Sequence, residues 1–185
     1  MENLTLIIPT KEESDSLPVL LNELKSYNCK IIIVLENKDT KTISAITDYK
    51  NIDIHFQKNK GYGNALIEGI NKTTSEYFCI INADGSMNPK YLNTMLNECK
   101  YIDFVFASRY SKDGGSDDDN FVTFIGNKIF TLLGNIFFKL NLPDILFTYV
   151  LGKTQSAKNL QLQYNDFRIC VEIPIKAKSK KLSFT

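Results

Sequence analysis

Leu4–Pro9 is an unbroken apolar run closed by a proline, and it sets the rhythm of the next hundred residues. Short apolar runs of strand type alternate with stretches whose apolar positions fall three or four apart. Residues 16–27 carry Leu17, Leu20, Leu21 and Leu24 at helical spacing, and Pro18 is tolerated in a first turn. Lys30–Leu35 (KIIIVL) is continuously β-branched, as in a strand covered on both faces. The pattern then predicts a short helix over 40–49, a strand over 52–56 and a helix over 62–71 with Ala65, Leu66 and Ile70 on one side. A strand over 77–81, a helix over 89–100 opened by Pro89 and a strand over 103–107 complete this part. Alternation at this spacing predicts βαβ units: an α/β fold with a mostly parallel sheet flanked by helices. Such sheets bind ligands beyond the carboxyl ends of their strands, here the segments after Pro9, Leu35, Phe56, Ile81 and Ala107.

The remainder changes character. Residues 111–120 (SKDGGSDDDN) have no apolar member and predict a mobile acidic loop. Residues 121–142 are strongly apolar, except that Lys128, Thr131, Asn135 and Lys139 line up as one polar stripe. Two readings stand: a helix packed on the domain with its lysines outward, or a helix lying in a membrane surface with lysines near headgroups. Residues 167–175 alternate enough to predict a final strand. A basic tail of Lys176, Lys178, Lys180 and Lys181 follows.

Composition narrows the function. The 185 residues suit one domain with a real core, and 43% hydrophobic with 23% charged residues argues against disorder. A formal net charge of +1 gives no global attraction to nucleic acid, leaving only a local basic patch. No apolar run reaches the ~18 residues of a spanning helix. The opening MENLTLIIPT has no basic n-region, so it does not read as a signal peptide. Cys29, Cys79, Cys99 and Cys170 are too far apart for a CxxC site and read as reduced thiols of a cytoplasmic protein. His55 is the single histidine, which leaves no histidine triad or multi-histidine metal site.

Three segments can carry chemistry. Asn82-Ala83-Asp84-Gly85-Ser86 follows the fourth strand; a carboxylate there suits a hard divalent cation shared with phosphates, although Asp-Gly is also a common turn. Residues 58–65 (KNKGYGNA) follow the third strand and open a helix, where Gly61 and Gly63 allow close backbone approach and a helix start favours anions. Arg109, one of two arginines, ends the fifth strand and suits bidentate contact with a diphosphate; a surface arginine is the alternative.

Together these segments resemble glycosyltransferase family 2. Residues 8–13 (IPTKEE) resemble its opening Pro-Thr-x-x-Glu, and 59–69 (NKGYGNALIEG) its Asn-x-Gly-x-x-x-Ala-x-x-x-Gly stretch. Residues 82–89 (NADGSMNP) resemble its Asp-x-Asp segment, and 107–110 (ASRY) its Ser-Arg-Tyr motif. Residues 144–148 (DILFT) and 172–175 (EIPI) resemble later landmarks of the polyprenyl-phosphate branch, typified by dolichol-phosphate-mannose synthases. The match runs over almost the whole chain.

The resemblance implies a GT-A, Rossmann-like fold and an inverting transfer of a sugar from a nucleotide-diphospho-sugar. The acceptor would be a lipid phosphate or glycan, with a polyprenyl phosphate at the cytoplasmic membrane face the leading case. It implies a nucleotide-sugar-binding core over 1–110, the acidic loop over 111–120 and an acceptor- and membrane-proximal part over 121–185, in one domain. It implies Mg²⁺ or Mn²⁺ on Asp84 with Asn82 beside it, and Pro9, Thr10, Glu13 and Glu36 around the nucleoside. Gly61 and Gly63 would lie near the nucleotide, Arg109 at the diphosphate and Asp144 on the acceptor side as base or orienting group. Two departures stand out: Asn82 replaces the first Asp of Asp-x-Asp, and Leu35-Glu36 retains one acid of the usual pair. A non-catalytic nucleotide-sugar-binding or scaffold protein is therefore a competing reading. A sugar nucleotidyltransferase is disfavoured because Pro9-Thr10-Lys11-Glu12 lacks a glycine-rich loop.

Overall fold

The computed structural model describes residues 1–110 and 121–185; the predicted acidic loop at 111–120 lies outside the described residues. Four strands form the parallel half of one sheet: β1 (Leu4–Pro9), β2 (Lys30–Leu35), β3 (Asp53–Phe56) and β4 (Tyr77–Ile80). β1 is central, with Ile7 opposite both Ile32 and Ile80, and all six of its residues are buried. This explains the continuous apolar run: both faces of the strand are covered.

The sheet then departs from the predicted pattern. β5 (Phe104–Phe106) does not pair with β4. A strand absent from the sequence reading, β6 (Val150–Lys153), runs antiparallel between them, so the order is β3-β2-β1-β4-β6-β5. β6 is short and contains Gly152, which hid it from the pattern. That glycine has a packing role, because a Cβ there would run into the Phe104 and Phe78 rings. Residues from the last third thus complete the sheet begun by the first.

Helices cover both faces. α1 (Ser16–Leu24), α2 (Thr40–Ala45) and α4 (Leu92–Cys99), which follows a 3₁₀ turn at Pro89–Tyr91, lie in order along the chain. Leu17, Leu20, Leu21 and Leu24 of α1 and Leu92, Met95 and Cys99 of α4 join Leu6, Ile8 and Ile33 in one core. Ala65, Leu66 and Ile70 of α3 (Tyr62–Lys72) and Ala157 of α6 (Thr154–Asn159) join Ile7, Val34 and Phe78 in the other. The final strand predicted over 167–175 is instead the start of a helix, α7 (Ile169–Ser179). Ile169, Cys170, Ile173 and Ala177 bury one side of it at helical spacing, and Pro174 sits within it. The interior proline and the local apolar-polar alternation disguised the 3.6-residue period.

α5 (Phe121–Phe138) is helical as expected, with much of its apolar surface facing outward. Its polar stripe is divided: Thr131 and Asn135 face the domain, while Lys128 and Lys139 are exposed. Asn135 brackets Leu142, donating to the Leu142 carbonyl at 2.8 Å and accepting the Leu142 N–H at 3.0 Å. Buried Thr131 accepts the Ile145 N–H at 3.4 Å. Exposed Lys128 lies over two rings, its ammonium 4.4 Å from the Tyr110 ring centroid and 5.7 Å from that of Phe124. Ile129, Phe130, Leu132, Leu133, Ile136, Phe137 and Phe138 are left exposed. Among the described residues no helix is long and apolar enough to cross a membrane.

Candidate functional site

Most of the residues singled out in the sequence lie at or just beyond the carboxyl ends of strands. After β1, buried Thr10 donates its hydroxyl to the Ile8 carbonyl, and its N–H reaches the Val34 carbonyl at 2.9 Å. Glu12 follows with φ 58°, and its N–H bonds Asp39 Oδ2 at 2.8 Å. The Glu13 N–H bonds Thr42 Oγ1 at 3.0 Å, and its carboxylate accepts the Ser16 hydroxyl. Asp39 also caps α2 through its other oxygen, which accepts the Thr42 N–H. Asp39 and Thr42, absent from the sequence reading, therefore fasten the loop after β1 to the loop after β2. An Asp before a Thr-rich helix start was the available signal. Glu36, at the end of β2, pairs with Lys38 at 3.1 Å.

After β4 the chain enters the Asp-x-Asp-like segment. Asp84 is exposed, and its Oδ1 is held by the Ser86 N–H at 2.9 Å and the Ser86 hydroxyl at 2.6 Å. Asn82 is half-buried, and its side-chain oxygen accepts the Tyr62 hydroxyl at 3.0 Å. The same phenol oxygen lies 2.6 Å from the hydroxyl of buried Thr148. Burial pushes the Tyr62 phenol far above its ordinary pKa, even though it bonds Thr148 and Asn82. It therefore keeps its proton and fixes the Asn82 amide. The sequence analysis gave Tyr62 and Thr148 no role of their own beside Asn82; they lie 86 positions apart, and only the fold joins them.

The Gly61–Gly63 turn has a different neighbour from the one expected. A Cβ at Gly61 would collide with the Asn165 carbonyl, and one at Gly63 with those of Tyr164 and Asp166. The close backbone approach is thus to the chain's own residues 164–166, and the Asn64 N–H at the start of α3 bonds the Asn165 carbonyl at 3.2 Å. Buried Glu172 on α7 holds this segment by accepting the N–H groups of Gln163 and Tyr164 at 2.8 and 3.0 Å, and Lys176 offsets its charge at 2.7 Å. Phe167 then stacks on Tyr62, with ring centroids 4.7 Å apart. A chain of contacts runs from Glu172 through residues 163–167 to Tyr62 and Asn82.

Arg109, just beyond β5, is brought to Asp144 rather than left at the surface. Its Nε lies 2.8 Å from Asp144 Oδ2 and its NH2 3.1 Å from Oδ1, a bidentate pair with Asp144 fully buried. The pairing orients the guanidinium and ties up both oxygens of Asp144, which alters the acid-base role expected of that residue. His55, outside this group, bonds Glu68 at 2.7 Å.

Among the described residues no three His, Cys, Asp or Glu side chains form a cation cage. One carboxylate with Asn82 and Ser86 oxygens nearby in sequence does fit a hard cation that takes its remaining ligands from substrate phosphates and water.

Residues 5–161 match the profile of glycosyl transferase family 2. The chain belongs to that family. A similar protein is the dolichol-phosphate mannosyltransferase of Pyrococcus furiosus, 24% identical over 96% of this chain and 54% of the relative. An uncharacterized glycosyltransferase of Mycobacterium tuberculosis is 27% identical over 57% of this chain and 48% of its own. The fold resembles glucosyl-3-phosphoglycerate synthase from Mycobacterium tuberculosis, solved with Mn²⁺, uridine diphosphate and phosphoglyceric acid: TM-score 0.71, 12% identity, 96% of this chain and 64% of that one. It also resembles mannosyl-3-phosphoglycerate synthase from Rubrobacter xylanophilus, with TM-score 0.65 and 15% identity over 83% and 54% of the two chains. These likenesses identify the α/β arrangement as the GT-A fold of family 2 enzymes. The chain spans about half the length of the curated relatives it matches.

Proposed function

We propose that this family 2 domain transfers a sugar from a nucleotide-diphospho-sugar, with inversion, to the phosphate oxygen of a polyprenyl phosphate at a membrane face. The observation that carries the reading is Asp84, an exposed carboxylate beyond β4 beside an Asn82 amide fixed by a buried tyrosine. The acceptor oxygen attacks the anomeric carbon, the bond from that carbon to the diphosphate breaks, and the nucleoside diphosphate leaves with the electron pair. Mg²⁺ or Mn²⁺ held by Asp84 and Asn82 would neutralise charge on the diphosphate. Pro9, Thr10, Glu13, Glu36 and Asp39 border the nucleoside side. Arg109, oriented by Asp144, faces an anionic group of donor or acceptor. A phosphate oxygen is already ionised at neutral pH, so Asp144 is needed to position Arg109 rather than to take a proton.

Support for the lipid acceptor comes from the similarity to a dolichol-phosphate mannosyltransferase. The test is nucleoside diphosphate release from UDP- and GDP-sugars with Mn²⁺, with and without a short-chain polyprenyl phosphate. Acceptor-dependent release with a glycosyl phospholipid product is expected. Binding without release, under all donors, would favour the non-catalytic reading, for which Asn82 in place of a carboxylate is the specific observation.

A further inference from the structure

Phe167 is 71% exposed although the backbone around it is pinned on every side. Buried Glu172 holds the N–H groups of Gln163 and Tyr164, and the Asn165 carbonyl accepts the Asn64 N–H at 3.2 Å. The Phe167 carbonyl accepts the Cys170 N–H at 3.1 Å. Next to it, Arg168 is fixed by Asp166 at 2.8 Å and lies 4.4 Å from the Tyr164 ring centroid. Tyr62 covers one face of the Phe167 ring, with 4.7 Å between centroids and 16° between planes, so solvent meets the other face. Scattered exposed rings are ordinary on a protein surface. A ring held flat on a tyrosine whose hydroxyl is itself bonded is a preorganised surface, which loses little freedom when something packs on it.

The place of the ring says what that is. Through Tyr62 it is joined to Asn82, whose side-chain oxygen accepts the Tyr62 hydroxyl at 3.0 Å. Through its carbonyl it is joined to Cys170, in the first turn of α7. Burial pushes the Cys170 thiol up to about 12, while the charge of Arg109 lowers it and that of Asp144 raises it, so the Arg109–Asp144 pair lies close to this turn. Phe167 thus belongs to the wall that links the Asn82 amide to the Arg109 guanidinium. In the donor reading, the group bonded to the diphosphate on one side and approached by an anionic acceptor on the other is the sugar ring. A pyranose offers a face of C–H bonds with partial positive charge, which suits the negative face of an aromatic ring.

We propose that the free face of Phe167 is the platform on which the transferred sugar of the donor packs, which makes Phe167 a specificity-determining residue. This rests on the donor reading of the proposed function and adds the group through which the chain recognises the sugar rather than the nucleotide.

The test is calorimetric titration in Mn²⁺ with UDP and GDP and with UDP-glucose, UDP-N-acetylglucosamine and GDP-mannose. Wild type is compared with Phe167→Ala, Phe167→Leu, which keeps apolar bulk without a flat face, and Phe167→Trp, which keeps the face. Alanine and leucine are expected to weaken the bound sugar nucleotide about fivefold to tenfold and to leave the bare nucleoside diphosphate within about twofold of wild type, with tryptophan retaining both. The melting temperature should hold in all three, because the ring is largely exposed. Sugar-nucleotide affinity unchanged in the alanine and leucine variants overturns the inference and leaves the donor reading in place. Equal losses for the bare and the sugar-bearing nucleotides also overturn it, because they would show that Phe167 only supports Tyr62 and Asn82. Wild type that binds neither kind of nucleotide overturns the donor reading, and the platform with it.

Discussion

Asp144 has no exposed side-chain surface, and the Arg109 guanidinium is what makes its charge tolerable there. Removing the arginine strands a buried carboxylate. Arg109→Ala should cost about 3–5 kcal/mol of stability, a loss read from chemical denaturation. A change within experimental error in the midpoint would mean that Asp144 finds other partners. Asn82 offers the opposite experiment. Its oxygen already accepts the Tyr62 hydroxyl, and Asp supplies the same acceptor plus a negative charge. Asn82→Asp should therefore tighten Mn²⁺ binding, measured by electron paramagnetic resonance titration; unchanged affinity would remove residue 82 from the cation's surroundings. Asp84, Asn82 and Arg109 were legible in the sequence because each directly follows an apolar strand run. Their partners were not. Asp144 lies 35 positions from Arg109, and Tyr62 lies 20 from Asn82, distances at which pattern carries no information about contact.

Elements whose period was clean, β1, β2, α1 and α3, were readable from the chain. β6 and α7 were not: one is a four-residue strand containing a glycine, the other a helix with an internal proline. α5 was readable as a helix but not in its rotation, since a polar stripe can face water or meet backbone groups equally well. The start of α3 gives a test at this scale. Gly63→Ala would drive a Cβ into the Tyr164 carbonyl, so the 163–167 segment must shift. A loss of about 1–3 kcal/mol is expected, with the Phe167–Tyr62 stack disrupted in an NMR spectrum of the aromatic region. An unaltered melting curve would show that the segment is loosely held. Asp103 gives another. It accepts the Ser183 N–H and hydroxyl at 2.9 and 2.8 Å and the Ser156 hydroxyl at 2.8 Å, tying residue 183 beside β5. Partial burial opposes its charge, but these hydrogen bonds outweigh burial and hold its pKa below the ordinary value. Its contribution is therefore complete above the unfolded pKa of about 4 and fades as pH falls through the lower folded value. The melting temperature of Asp103→Asn should fall less than that of wild type between about pH 5 and pH 2. Parallel acid profiles would contradict the assignment.

At the scale of the molecule, one sheet draws strands from both ends of the chain, and β6 inserts between β4 and β5. This places Thr148 at the head of β6 next to Tyr62 and Asn82, so the site cannot form from the first hundred residues alone. Charge is divided along the same chain: the part that supplies Asp84 is acidic, and the part that supplies α5 and Lys178 is basic. The central claim is that Asp84 holds a nucleoside diphosphate through a divalent cation. Calorimetric titration of wild type and Asp84→Ala with UDP and GDP, in Mn²⁺ and again after chelation by EDTA, tests it most directly. The account predicts that wild type binds one of the two only with Mn²⁺ present and that Asp84→Ala loses this binding with its fold intact. Equal binding by the two proteins, or wild-type binding that survives EDTA undiminished, would contradict it.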